Sequence, residues 1–285
     1  MSNVKYHAFS GDCPAPDFGA IPADAVANAF TYDGSIYKGA MFANASWLTK
    51  PFEAPGLKKH DSDELHMFVG ADSDMPEALN AVIEFQIEND VLTLTDTCFV
   101  FVPAGAAHGN IKVKEMAKPV MHYVCHMNKS FYEWTPAEAT APVGKFANHK
   151  VERYAPVDGK LPQAPEGFLK LLLWIDGAKL AGAPYCEAVW FCTTNDTGPE
   201  NHVHDNLDEF ICFVGSDPEN PTELGARVQF LIDGEYIEFT KPCLIYCPRN
   251  ISHSPILVPG LDRPIIHFSG GNGGDYNKNT NSTFD

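Results

Sequence analysis

Phe213-Val214-Gly215-Ser216-Asp217 is a second copy of Phe68-Val69-Gly70-Ala71-Asp72, displaced by 145 residues. The same displacement pairs Pro76 with Pro221, Leu79 with Leu224, Phe85 with Phe230 and Cys98 with Cys243 without a gap. It goes on to pair Pro103 with Pro248, His108 with His253, Pro119 with Pro264 and His122 with His267. Upstream the displacement becomes 143, matching Asp33-Gly34 to Asp176-Gly177, Gly39 to Gly182 and Trp47 to Trp190. One displacement kept over so many Gly, Pro, Trp and His positions marks an internal duplication. The two units cover roughly residues 31–127 and 174–272.

Each unit reads as β. Val228-Gln229-Phe230-Leu231-Ile232 and Glu235-Tyr236-Ile237-Glu238-Phe239 flank Asp233-Gly234, a strong hairpin signal. The first unit has Asn89-Asp90 at the matching place. Cys243-Leu244-Ile245-Tyr246-Cys247 is a short apolar strand closed by Pro248, and Arg263 to Phe268 is another. Many short strands with Gly/Pro turns predict an all-β sandwich or barrel. The stretch from Thr135 to Gly167 reads as a linker wrapped over the surface, with Thr135-Pro136-Ala137-Glu138 as a helix start. The first ~30 residues read as an arm or irregular extension, and the Gly/Asn-rich tail from Gly270 as an extended end. The expected domains are 1–150 and 151–285.

Chemistry concentrates in Asn201-His202-Val203-His204-Asp205-Asn206-Leu207-Asp208-Glu209. On a β-strand, His202 and His204 would share one face. The turn-prone Asp205-Asn206 would then fold the next strand back, setting Glu209 beside them. Two imidazoles and a carboxylate are a metal-ligand set, and His253 is the candidate fourth member. Strand parity puts Glu209, Ile211 and Phe213 on one face, so the site should have an apolar wall. His267 is either a general acid/base or a core histidine, since His122 matches it in the other unit. Tyr246, Tyr185, Glu187 and Trp190 are candidate pocket residues, with Trp47 opposite Trp190 favouring a core role. Arg249, near the mouth, either holds a substrate carboxylate or is solvated.

The spacing His202-x-His204-x4-Glu209, then Gly215, a hairpin, and Pro248 five residues before His253 resembles the two metal motifs of the cupin superfamily. The first unit adds Pro103-Ala104-Gly105-Ala106-Ala107-His108, close to the second of those motifs. Two units in one chain look like a bicupin. The resemblance implies two tandem jelly-roll β-barrels with short helical or irregular linkers. It also implies His202, His204, Glu209 and His253 as ligands of one divalent ion per chain. Mn, Fe or Zn would be foremost, with Ni and Co open. A homodimer is likewise expected from the resemblance. The second unit departs from the family pattern in Pro248-Arg249-Asn250 and in Leu257. The first departs at a ligand, because Lys58 stands where the first histidine belongs. His60, Glu64 and His108 remain there, foremost as a decayed site kept for structure, with a two-histidine, one-carboxylate metal site as the alternative.

The formal net charge of −17 excludes phosphate backbones and anionic membranes as natural partners. No apolar run is long enough for a membrane span, and Met1 to Pro14 lacks the features of a secretory signal. Eight cysteines occur without a CxxC pair and mostly inside apolar runs, where Cys packs as a small hydrophobe. A cytoplasmic protein acting on a small molecule is expected. Its foremost reading is a metalloenzyme cleaving a C–C bond of a β-dicarbonyl, enol or phenol-derived substrate, by metal-activated water or by O₂. The alternatives are an isomerase or decarboxylase of a sugar or dicarboxylate, whose pocket should be more polar, and a non-catalytic binding or storage protein.

Overall fold

The structure is a computed structural model that describes residues 6–273. The expected extended tail beyond 273 lies outside the described residues. Apart from one short 3₁₀ turn at Ala23–Ala25, every regular element among these residues is a β-strand. No helix there is long and apolar enough to cross a membrane.

The two units form two barrels. In the first, a six-stranded antiparallel sheet runs Lys150–Val151, Cys98–Val102, Glu64–Gly70, Val120–His126, Phe42–Leu48, Val26–Tyr32. It faces a five-stranded sheet built from Thr135–Ala137, Phe52–Lys59, His108–Met116, Ala78–Ile87 and Asp90–Asp96. The second barrel repeats the large sheet with His7–Phe9, Cys243–Cys247, Glu209–Gly215, Ile265–Gly271, Tyr185–Phe191 and Leu169–Ile175. Its smaller sheet has three strands: Glu235–Phe239, Ala226–Ile232 and His253–Leu261. Residues 7–9, sequence-adjacent to the first unit, thus complete the edge of the second barrel, with Ala8 opposite Leu244.

Strand alternation sorts the apolar residues into three cores. One lines the first barrel around Phe68, Phe85 and Val100, and one lines the second around Phe213, Phe230 and Ile245. The third lies between the two large sheets, where Trp47, Tyr123, Trp190, Phe210 and Phe268 pack together. Each such fully buried large side chain contributes about 1.5–3 kcal/mol. Trp190 therefore has the core role that its match to Trp47 suggested. All eight cysteines are free, and all but Cys13 take part in this packing as thiols.

The duplicated glycine of the Phe-Val-Gly copies has a steric cause. A Cβ on Gly70 would lie 2.2 Å from the Ala78 carbonyl oxygen, and one on Gly215 would lie 2.3 Å from that of Glu223. The incoming chain crosses there too closely for any side chain.

One local expectation holds and two change. Asp233-Gly234 forms the hairpin turn, both residues at positive φ. The first-unit turn is Glu88-Asn89, one residue earlier than Asn89-Asp90, with Glu88 at φ 52°. The Glu88 carboxylate accepts from the backbone N–H groups of Ala107, Thr140 and Ala141, which fixes that conformation. Thr135-Pro136-Ala137 is an edge strand rather than a helix start, paired with Lys59, Lys58 and Leu57. Proline is tolerated on such an edge, and neighbouring strand partners satisfy the backbone there.

Candidate metal centres

His202, His204, Glu209 and His253 converge, their ligand atoms all within 4.8 Å of one another. Glu209 opens its strand on the inner face of the second barrel, in line with Ile211 and Phe213, which gives the expected apolar wall. His253 opens the strand His253–Leu261 of the smaller sheet. His202 and His204 are not on a regular strand. They lie in an extended loop that an isolated bridge ties to the barrel, His202 and His253 exchanging backbone hydrogen bonds of 3.0 Å. Asp205-Asn206 makes the expected bend.

The hydrogen bonds fix the tautomers. His202 Nδ1–H donates to the Glu200 carbonyl at 2.7 Å, and His253 Nδ1–H to the Ile251 carbonyl at 3.0 Å. A carbonyl can only accept, so each neutral ring turns its Nε2 lone pair inward. His204 and His253 Nε2 stand 3.1 and 2.9 Å from Glu209 Oε2. Lone pairs facing a carboxylate are a repulsive arrangement unless a cation or a proton lies between them. The donor set fits a divalent ion: three neutral imidazoles and one carboxylate, each Nδ1 of His202 and His253 oriented by a backbone acceptor. His202 is partly exposed while the other three are buried, so the set opens to solvent on that side.

The other candidates fall in different places. Glu187 lies on the inner face, opposite Ser269, which in turn pairs with Ile211. Burial, and then the charge of Glu209, pushes its carboxyl up; Tyr154, Tyr185 and Ser269 hydrogen-bond it. His267 is also on the inner face but deeper. It is four residues along its strand from Gly271, the partner of Glu209, which is about 13 Å away. Its Nδ1–H donates to the Cys212 carbonyl at 3.0 Å, and its ring packs between Phe191 and Phe213. That is the setting of a core histidine, and it corrects the acid/base expectation. Tyr246 pairs with Phe210, one register position from Glu209, so it faces away from the barrel interior. It packs on Tyr32 and Tyr37 between the barrels, which removes it from the candidate catalytic set. Cys247, across from Glu209, faces inward, and burial pushes its thiol up, so it stays a packed thiol. Arg249 is engaged at the rim. Its backbone N–H, Nε and Nη2 donate to Asp208 at 2.9, 3.2 and 3.2 Å, leaving no guanidinium inside the cavity.

The first barrel holds more than the remnant expected of it. Besides His60, Glu64 and His108, it brings His66 and His126 to the same carboxylate, all five buried. His66 stands two residues after Glu64 on the same strand face. His126 sits directly across from Glu64, at the register position that Gly271 holds opposite Glu209. Both histidines lie outside the motif spacing. The signal available in the sequence was the displacement itself, which sets His66 against Ile211 and His126 against Gly271.

No protein-family model matches the sequence, and no curated protein matches it. Solved structures do match. A point variant of the Bacillus subtilis oxalate decarboxylase superposes with TM-score 0.58 at 12% identity, covering 89% of this chain and 76% of the other. The Lactobacillus farciminis oxalate decarboxylase, determined as a formate complex, gives 0.57 at 11%, covering 89% and 82%. The fold is that of a bicupin. At such low identity the likeness speaks for the bicupin architecture alone, and the chemistry has to be read from the residues.

Proposed function

We propose that the second barrel is the active site of a metal-dependent C–C lyase that releases CO₂ from a small carboxylate or dicarboxylate. The observation carrying this reading is the pairing of two unlike groups on one inner face. One is the solvent-open ligand set His202, His204, Glu209 and His253. The other is the half-buried Glu187 carboxyl, pushed up by desolvation and held by Tyr154 and Ser269. The solved bicupins named above include oxalate decarboxylases, which agrees with this choice among C–C cleavages. The polar wall of Glu187, Tyr154, Tyr185 and Ser269 is the pocket character that the decarboxylase alternative requires.

A bound divalent ion would supply Lewis acidity, offsetting the substrate's carboxylate charge. The protein's own groups do the rest. Breaking the C–C bond leaves its electron pair on the substrate carbon as CO₂ departs. Glu187, whose hold on its proton is strengthened by burial and by the nearby Glu209 charge, delivers the proton that takes up that pair. Tyr154, hydrogen-bonded to Glu187, holds the carboxyl in place and passes a proton back to it. Ile211 and Phe213 keep water off the opposite side. With Arg249 committed to Asp208, the substrate's charge is met inside the cavity by the ion alone.

The test uses metal-reconstituted protein in D₂O with a panel of small acids, beginning with oxalate and malonate. The expected result is CO₂ together with a product carrying one solvent deuterium at the former C–C position. Glu187→Gln should lower kcat by about 10²–10⁴ while keeping its metal, as for loss of a general acid. Turnover that releases no CO₂, or that places an oxygen atom from O₂ in the product, would overturn the reading and favour oxygenative cleavage.

A further inference from the structure

We propose that the first barrel carries its own divalent metal ion, bound by His60, Glu64, His108 and the non-motif His126, and sealed there as a structural centre. Among the buried polar atoms of this barrel without a hydrogen-bond partner, four gather at the Glu64 carboxylate: His60 Nε2, His66 Nε2, His108 Nε2 and Glu64 Oε2 itself. The ligand atoms form two triads that share Glu64, His60–Glu64–His126 and Glu64–His66–His108, each within 4.8 Å. His108, His66 and His60 Nε2 lie 2.5, 3.2 and 3.5 Å from its Oε2, and His126 Nε2 lies 3.2 Å from its Oε1.

The tautomer argument applies here with more force than in the second barrel. His60 Nδ1–H donates to the Glu133 carbonyl at 2.6 Å and His108 Nδ1–H to the Ala106 carbonyl at 3.0 Å. Both rings therefore aim lone pairs at a carboxylate from which water is excluded; the side chains of His60, Glu64, His108 and His126 are at most 1% exposed. A buried donor set with this much unmet acceptor capacity calls for a cation. His126 Nδ1 is positioned by the Ser62 hydroxyl at 3.2 Å, the kind of outer contact that orients a ligating imidazole. His66 is the exception. Its Nδ1 meets His122 Nε2 at 2.9 Å, so it can donate from Nε2 to Glu64 as a neutral ring and position that carboxylate.

Lys58 now has an account. It occupies the place of the lost motif histidine, and it no longer points a ligand at the centre. Its ammonium donates to the Tyr132 hydroxyl and lies 4.8 Å over the Tyr132 ring. Tyr132 in turn covers His60 and His126, with ring centroids at 5.0 and 5.2 Å. The segment after His126 continues through Glu133 into the edge strand Thr135–Ala137, beside Lys58. Tyr132 and Thr135–Ala137, the start of the stretch read from sequence as surface linker, therefore form a lid clamped by Lys58. His126 supplies the imidazole that position 58 lacks, and Lys58 serves as the clamp. The second barrel has neither feature, since Gly271 replaces His126 and an open loop replaces the strand that carries Lys58. Closed four-ligand sites are structural, whereas open ones are catalytic, and the two barrels divide along that line.

The experiment is metal analysis of the full chain after exhaustive EDTA treatment and gel filtration, with cobalt(II) uptake into refolded protein as a second readout. Wild type should begin with two ions per chain and keep one through EDTA. His204→Ala, which disables the second barrel, should keep that one ion. His204→Ala with His126→Ala should bind at least tenfold more weakly at the remaining site and lose its cobalt absorption bands. A well-folded His204→Ala protein with no bound ion would overturn the proposal. An ion held with unchanged affinity in the double variant would overturn the role of His126. Should the double variant fail to fold, the wild type decides: a chain stripped of all metal by EDTA as fast from one centre as from the other contradicts a sealed site.

Discussion

Replacing His267 by phenylalanine tests whether this residue belongs to the chemistry or to the core. Burial lowers its pKa to about 4, while an unfolded histidine titrates near its ordinary value of 6.5. The folded state thus holds the ring neutral where the unfolded chain would take up a proton. Stability from this residue is fully present above pH 6.5 and is lost as pH falls from 6.5 toward 4. Between pH 7 and pH 4.5 the loss comes to roughly 2 kcal/mol, most of what the full shift carries at about 1.4 kcal/mol per pH unit. Urea unfolding of wild type and His267→Phe, both with chelator present, isolates the term as a difference. The variant should be less stable at pH 7, having lost the bond to the Cys212 carbonyl, and should fall less steeply on acidification. Its kcat should stay within a few-fold of wild type. Equal acid slopes in the two proteins, or loss of catalysis without loss of stability, would refute the core assignment.

Two further outcomes follow from the architecture. Tyr246→Phe should leave kcat/KM within about twofold, because the ring faces the inter-barrel core, and should cost about 1 kcal/mol through the lost hydroxyl contact with Asp208. Removing residues 1–11 strips Tyr6 and the strand His7–Phe9 from the second barrel, where Tyr6 and Ala8 are buried. A loss of about 2 kcal/mol is expected, seen as a fall in Tm of roughly 4–8 °C.

Most of the fold was legible because a duplicated sequence gives two readings of every strand. Gly70 and Gly215, or Trp47 and Trp190, are each ambiguous alone and plain as a pair. The convergence of His202, His204, Glu209 and His253 was legible because their spacing matches the motifs that the sequence resembles. Two things were hidden. His66 and His126 stand in apolar strands outside that spacing, and only the register across from Glu64 reveals where they point. The lid over the first barrel was read as linker because Pro136 and the charged residues around it have no strand periodicity; pairing with Lys58 and Lys59 makes it one. Tyr246 failed for a simpler reason. Period-two alternation already assigned the inner face to Cys247, its neighbour and the partner of Glu209, and one residue of slip changes the face.

The most direct measurement is anomalous diffraction at the metal's absorption edge from crystals of the metal-loaded protein. The account predicts a peak about 2.0–2.3 Å from each ligand atom of His202, His204, Glu209 and His253. A well-loaded crystal with no anomalous density among those four residues would contradict it.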